Sequence, residues 1–68
     1  MSMSYEQYVA TIKAEFKKYR HTDAETEKYF STDSVKDMLL KQYDGFTKRN
    51  VAAYAPQATA SCLDMMYE

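Results

Sequence analysis

Cys62 and His21 are the only residues of their types in the 68-residue chain, and they are the obvious candidates for nucleophilic catalysis. A thiol becomes a nucleophile when a neighbouring base or positive charge favours the thiolate. Cys62 instead lies among alanine, leucine and methionine in a helical segment, where a cysteine behaves as a small buried hydrophobe. His21 follows Arg20 at a predicted helix end, where the helix dipole favours a cation. The sequence therefore predicts a core cysteine and a capping or surface histidine, not a catalytic pair.

Acidic residues follow His21 directly and superficially resemble a set of metal ligands. They are Asp23, Glu25 and Glu27. Alternate positions of a helix point to different faces, so these side chains cannot converge on one ion, and the dipole explains acids in a first turn. One cysteine and one histidine cannot complete a zinc site, and a single glycine, Gly45, excludes a glycine-rich phosphate loop. We therefore expect no metal, no cofactor, no enzymatic activity and no small-molecule substrate.

Basic residues are concentrated at two predicted helix ends and suggest a different class of function. They are Lys17, Lys18, Arg20, Lys48 and Arg49. If the two ends met in space, they would form the basic patch that a nucleic-acid-binding regulator requires. Glu15 interrupts the first group, acids follow it at once, and the formal net charge of the chain is −1. Nucleic-acid binding is therefore the alternative prediction and not the leading one.

The last predicted helix, from Pro56 to Glu68, has a polar strip that covers only about 60° of its circumference. The polar residues are Gln57, Ser61, Asp64 and Glu68. An ordinary surface helix shows the reverse distribution, an apolar stripe on a polar cylinder. This helix must therefore be covered, either by the rest of its own chain or by another protein.

Protein–protein contact is the leading functional prediction. A chain of this length buries only about 60% of its unfolded surface, so its stability is expected to be marginal. One cysteine cannot form an intrachain disulfide, which leaves association with a partner chain as the additional source of stability. The predicted contact surface is Leu63, Met66 and Tyr67, with Leu40, which lies off the apolar stripe of its helix, at the margin. We expect a homodimer or homo-oligomer through the last helix, or an adaptor or regulator of another protein. The competing interpretation is a monomer in which the last helix is the central one.

Four helices are predicted to position these residues. Capping boxes place helix starts after Ser4, which pairs with Gln7, and after Thr22, which pairs with Glu25, and Ser31 is the expected cap of the third helix. Apolar residues recur with helical periodicity, and no useful length of sequence alternates as a strand does. The predicted helices span residues 5–20, 23–30, 32–48 and 56–68, with a connector over 50–55 in which 51–54 could hold one helical turn.

Gln42 and Leu40 break the pattern of the third helix, and Gly45 sits late in it. Gln42 lies within its apolar stripe, and the sequence leaves open whether this side chain is buried. Gly45 costs about 1 kcal/mol relative to alanine in a helix interior, so it predicts either an early helix end or a close contact with another element.

Composition sets the fold class. The chain is 46% hydrophobic and 28% charged with one proline, which excludes a disordered tail. It lacks a signal-peptide pattern and an apolar run of about 20 residues, so we expect no membrane association and a cytoplasmic location. The sequence thus predicts a single all-α domain over residues 1–68, a compact bundle of three main helices plus one short helix.

Overall fold

The computed structural model describes residues 3–19, 21–49 and 52–67 and confirms the all-α prediction. Within these ranges the chain forms four α-helices and one 3₁₀ turn. They are α1 (Tyr5–Lys17), α2 (Asp23–Phe30), α3 (Asp33–Arg49), the 3₁₀ turn (Ala52–Tyr54) and α4 (Pro56–Met66). None of the described helices is both long enough and apolar enough to span a bilayer.

Both predicted capping boxes are present, and they fix the first residues of α1 and α2. The Gln7 backbone N–H donates to Ser4 Oγ over 3.2 Å, and the Ser4 N–H donates to Gln7 Oε1 over 3.1 Å. The same reciprocal pair joins Thr22 and Glu25, with distances of 3.0 and 3.1 Å. As a result α1 begins at its predicted residue, and α2 has both of its predicted ends.

Ser31 does not cap α3, contrary to the prediction. Its backbone is helical, with φ −90° and ψ −9°, whereas an N-cap residue is extended. Ser31 instead terminates α2, where its hydroxyl donates to the Glu27 carbonyl over 2.7 Å, and α3 begins two residues later at Asp33. A serine between two helices can hydrogen-bond to the end of one or to the start of the next. Here the Ser31 hydroxyl and the Ser31 backbone N–H both donate to the Glu27 carbonyl of α2.

Three helices end at residues other than those predicted. The first helix was expected to continue to Arg20, but α1 ends at Lys17 and a turn follows; Arg20 itself lies outside the described residues. The third helix extends one residue further than predicted, to Arg49. The last helix ends at Met66, short of the predicted Glu68, which also lies outside the described residues.

Helices α1 and α3 run antiparallel. At one end the Tyr43 hydroxyl of α3 donates to the Met3 carbonyl, just before α1, over 2.7 Å. At the other end the ring of Phe16, near the end of α1, lies 5.6 Å from that of Phe30, just before α3. The main partner of α1, however, is α4, which covers the face of α1 that points into the core.

One apolar core joins all four helices. Its largest fully buried side chains on α1 are Tyr8, Ile12 and Phe16, spaced one turn apart. The other core residues are Phe30 on α2, Val35 and Leu39 on α3, and Ala60 and Leu63 on α4. The Tyr8 hydroxyl stays hydrogen-bonded in this core because it donates to the Tyr54 carbonyl over 2.7 Å.

Gly45 lies in close contact with Tyr54, which is the second of the two alternatives predicted for it, and not at an early helix end. A Cβ atom at this position would lie 2.9 Å from two ring carbons of Tyr54, so the bare glycine lets the 3₁₀ turn rest against α3. Helix α3 continues for four residues beyond it. Gln42, whose burial the sequence left open, is half-buried.

The contact between Gly45 and Tyr54 predicts that the effect of Gly45→Ala on stability changes sign when the Tyr54 ring is removed. Gly45→Ala gains helix propensity of about 1 kcal/mol but forces Tyr54 to move, so we expect it to destabilise the wild-type protein. In a Tyr54→Ala background the same substitution should stabilise by about 1 kcal/mol. Chemical denaturation of the wild type, the two single variants and the double variant measures this. Equal stabilisation in both backgrounds would show that the ring does not restrict position 45.

The second capping box predicts a pH effect. The Thr22 backbone N–H, followed by the Thr22 side chain, lowers the pKa of Glu25 below its usual value. A carboxyl group with a lowered folded-state pKa contributes stability above the unfolded-state value of about 4.3, and loses it as pH falls through the folded-state pKa. Glu25→Gln keeps the capping box without titrating. We expect the unfolding free energies of the wild type and of Glu25→Gln to converge as the pH falls. A constant difference between the two unfolding free energies at every pH would contradict this.

Candidate functional site

His21 is largely enclosed, in contrast to the capping or surface position predicted for it. Its side chain is 9% exposed, and its ring stacks on Phe16 with centroids 3.9 Å apart and planes inclined by 7°. Its Nε2 atom lies 2.7 Å from Oδ1 of Asp64 on α4. Because α1 ends at Lys17, His21 can stack on Phe16 and reach Asp64 of α4. The histidine thus ties the α1–α2 connection to the last helix.

Tyr67, predicted to contact a second chain, is already used within its own. Its ring stacks on Tyr29 of α2 with centroids 4.0 Å apart and planes inclined by 7°. Tyr29 in turn presents its ring edge-on to His21 at 6.2 Å. Tyr67 is half-buried in this aromatic array, so it holds the end of α4 to α2.

Cys62 is exposed, so the prediction of a core cysteine is wrong. Two residues along a helix turn the side chain by about 200°, so Cys62 points away from the side on which Asp64 meets His21. The thiol and the imidazole therefore do not form a nucleophile–base pair. An apolar neighbourhood in sequence could not show which side of the helix the core would take.

Leu63 has to be removed from the predicted contact surface. It is fully buried among the core residues of its own chain, on the inner face that α4 turns toward α1. That inner face consists of Pro56, Thr59, Ala60 and Leu63. Met66 and its neighbour Met65 are 60% and 71% exposed, so Met66 remains available to a partner.

Four of the five predicted basic residues are described, Arg20 lying outside the described residues, and these four do not form one patch. Because α1 and α3 run antiparallel, Lys17 and Lys18 lie at one end of the bundle, while Lys48 and Arg49 lie beyond Tyr43 at the other. Each described lysine of this group also has a carboxylate partner. The pairs are Lys17–Asp23 at 3.1 Å, Lys18–Glu15 at 3.0 Å and Lys48–Asp44 at 3.0 Å. The geometry therefore adds nothing in favour of nucleic-acid binding.

An apolar groove of about 550 Å³ lies between α1 and α3, with Phe30 at one end. Its walls are Tyr5, Glu6, Val9, Ala10 and Lys13 on α1, and Lys36, Leu39 and Leu40 on α3. The α1 residues occupy the face beside the core stripe, which α4 leaves uncovered. Leu40, the off-stripe leucine of the predicted contact surface, is 54% exposed on the opposite wall. The largest apolar side chain left open on α3 is thus part of a concave surface.

Charges stand at the two ends of this groove. At the Phe30 end, Lys13 Nζ lies 5.6 Å from the centre of the Phe30 ring and 3.4 Å from Glu27 Oε1, and Lys36 stands in the first turn of α3. Glu6 lies at the other end, in the first turn of α1. The groove is therefore an apolar trough with a basic end and an acidic end.

Sequence reasoning found Leu40 but missed the rest of the groove. Neither Val9 nor Ala10 of α1 was among the predicted contact residues. The sequence signal was that a small residue, Ala10, and a large apolar one, Leu40, both lie outside the apolar stripes of their helices. What the sequence lacked was the antiparallel pairing that places these two positions on facing walls.

The chain matches no protein-family model, no curated protein and no solved structure. A functional assignment therefore has to come from its own geometry.

The His21–Asp64 pair predicts a measurable coupling. His21→Phe keeps a ring against Phe16 but removes the hydrogen bond, and Asp64→Ala removes the acceptor. We expect the double variant to be more stable than additivity predicts, by about 1 kcal/mol. The exposed Lys48–Asp44 pair is the control, with a coupling below about 0.5 kcal/mol. Additive effects at His21 and Asp64, measured by denaturation, would contradict a stabilising bond between them.

Proposed function

We propose that this protein is a small helical binding module that acts through protein–protein contacts, and that the groove between α1 and α3 takes an apolar helix of the partner. The observation that carries this proposal is the exposed Leu40 on the wall of a mostly apolar trough of about 550 Å³. Contiguous exposed apolar patches on small proteins commonly mark interaction sites.

The dimensions of the groove suit a helix. Its α1 wall runs from Tyr5 to Lys13, about 12 Å at the rise of an α-helix. Two helical turns of a partner present apolar side chains at i, i+3 or i+4, and i+7 over a similar length, which is how amphipathic helices dock into grooves. Leu39 and Phe30 would form the floor, and Leu40 would pack against the flank of the docked helix.

The proposal is for binding rather than catalysis, with the cytoplasm as its setting. Apolar walls offer a partner burial of surface, and the charged groups at the ends offer it orientation. A reducing compartment suits the exposed thiol of Cys62, which would otherwise be prone to oxidation. Protein–protein contact was the leading prediction from the sequence, and the groove supplies a specific surface for it.

Helical peptides selected from a display library against the wild-type protein test this proposal. Leu40→Lys places a charge on the groove wall at an exposed position, so we expect it to leave the fold intact and to weaken peptide binding at least about tenfold. Tyr19→Lys is the matched control, because it makes the same kind of change at another exposed apolar side chain, outside both the groove and helix α4. Its peptide affinity should equal that of the wild type.

Fluorescence anisotropy of labelled peptides, with circular dichroism to check helicity, provides both readouts. Peptides that bind Leu40→Lys as well as the wild type would overturn the groove as docking site. A selection that yields no groove-binding peptide would overturn it too.

A further inference from the structure

Helix α4 carries a second apolar face that its own chain leaves open. The face consists of Ala58, Cys62, Met65 and Met66, which fall within an arc of roughly 100°. We name these four residues the outer ridge. Cys62 and both methionines are exposed, and Met65 and Met66 are the two most exposed large apolar side chains in the described chain. The outer ridge lies on the side of α4 away from Ala60 and Leu63, which meet the core.

The outer ridge and the groove match in length and shape. From Ala58 to Met66 the ridge spans about 12 Å, the same as the α1 wall of the groove. Its residues follow one another at i, i+4, i+7 and i+8, the spacing with which a helix fills a groove. Methionine side chains are flexible and adapt to irregular apolar surfaces. One chain thus presents both a helical apolar ridge and an apolar trough of corresponding size.

The charges of the two surfaces are also complementary. Helices α1, α2 and α3 each carry a lysine or arginine in the last turn, but none of the described residues in the last turn of α4 is basic. The negative end of its dipole is therefore not compensated by its own side chains. The Phe30 end of the groove carries Lys13 and Lys36, and Lys13 is shared with Glu27. Lys36 is thus the cation that a docked helix C-terminus would meet.

We propose that the outer ridge of one copy of this protein occupies the groove of a second copy, with the C-terminal end of α4 directed toward Lys36. This inference rests on the proposed function, because the groove must accept an apolar helix for it to hold. In this orientation the docked α4 runs parallel to α1 and antiparallel to α3. The ridge and the groove lie on different elements, so each copy offers one surface of each kind.

Two variants that each lose one surface provide a complementation test. Leu40→Lys disables the groove and keeps the ridge, whereas the double variant Met65→Lys/Met66→Lys disables the ridge and keeps the groove. All three positions are exposed, so the variants should fold. Sedimentation velocity should show concentration-dependent association of the wild type. We expect each variant alone to associate at least about tenfold more weakly than the wild type.

A mixture of the two variants should form a 1:1 complex, because it contains one intact groove and one intact ridge. Within that mixture, adding Lys36→Glu to the ridge variant should weaken the complex about threefold. Lys41→Glu in the same chain is the matched control, since Lys41 is an exposed lysine of α3 that does not line the groove. Its affinity should not change beyond experimental error.

Three results would overturn the inference. A wild-type protein that stays monomeric at all attainable concentrations has no self-docking. Variants that fail alone and also fail when mixed do not form a ridge-in-groove contact. Association that depends on the methionines but not on Leu40 indicates that ridge packs against ridge. In each case, selected peptides that bind the wild type and Tyr19→Lys but not Leu40→Lys would leave the proposed function standing, so the two failures are distinguishable.

Discussion

The contact between α4 and the Tyr8–Ile12–Phe16 stripe of α1 is the interaction on which the rest of this structure depends. All three side chains are fully buried, and α4 covers them with Leu63 and the small Ala60, which lets the two helices approach closely. Once α4 occupies this face, α3 can reach α1 only along its edge. The contacts there are aromatic: Tyr5 and Tyr8 of α1 both contact Tyr43 of α3, and Tyr8 also contacts Phe46. The open groove beyond Tyr5 is a consequence of this arrangement.

The position of α4 is set by residues that are far apart in sequence. The Tyr8 hydroxyl donates to the carbonyl of Tyr54, and it lies 3.3 Å from the hydroxyl of Thr59 in the first turn of α4. Burial of the phenol raises the pKa of Tyr8, an effect that the Thr59 hydrogen bond opposes. Gly45 provides the space that Tyr54 requires. At the other end of α4, Asp64 and Tyr67 meet His21 and Tyr29. The helix is therefore held at both ends, with its outer side left free.

The local structure could be predicted from the sequence because capping boxes and apolar periodicity are local signals. Ser4, Thr22 and their partners determine where α1 and α2 begin, and no other part of the chain competes for them. The candidate surfaces were harder to predict because they depend on pairing. An apolar residue in a nearly all-apolar helix can face either side, so Leu63 was assigned to an interface and Cys62 to the core, and both assignments are the reverse of the structure. His21 was misplaced since its partner Asp64 is 43 positions away.

The two interpretations of the last helix, as core of a monomer or as a contact surface, describe different sides of the same cylinder. Its inner face meets α1 and accounts for the stability of the single chain. Its polar side carries Gln57, Ser61 and Asp64, of which Asp64 is used by His21. That leaves an arc on which Met65 and Met66 stand in solvent without a packing role inside the chain. Two large exposed apolar residues cost solubility in a chain of 68 residues, and the core does not require them. A surface for another helix would explain why they are exposed, and the groove between α1 and α3 has the matching length.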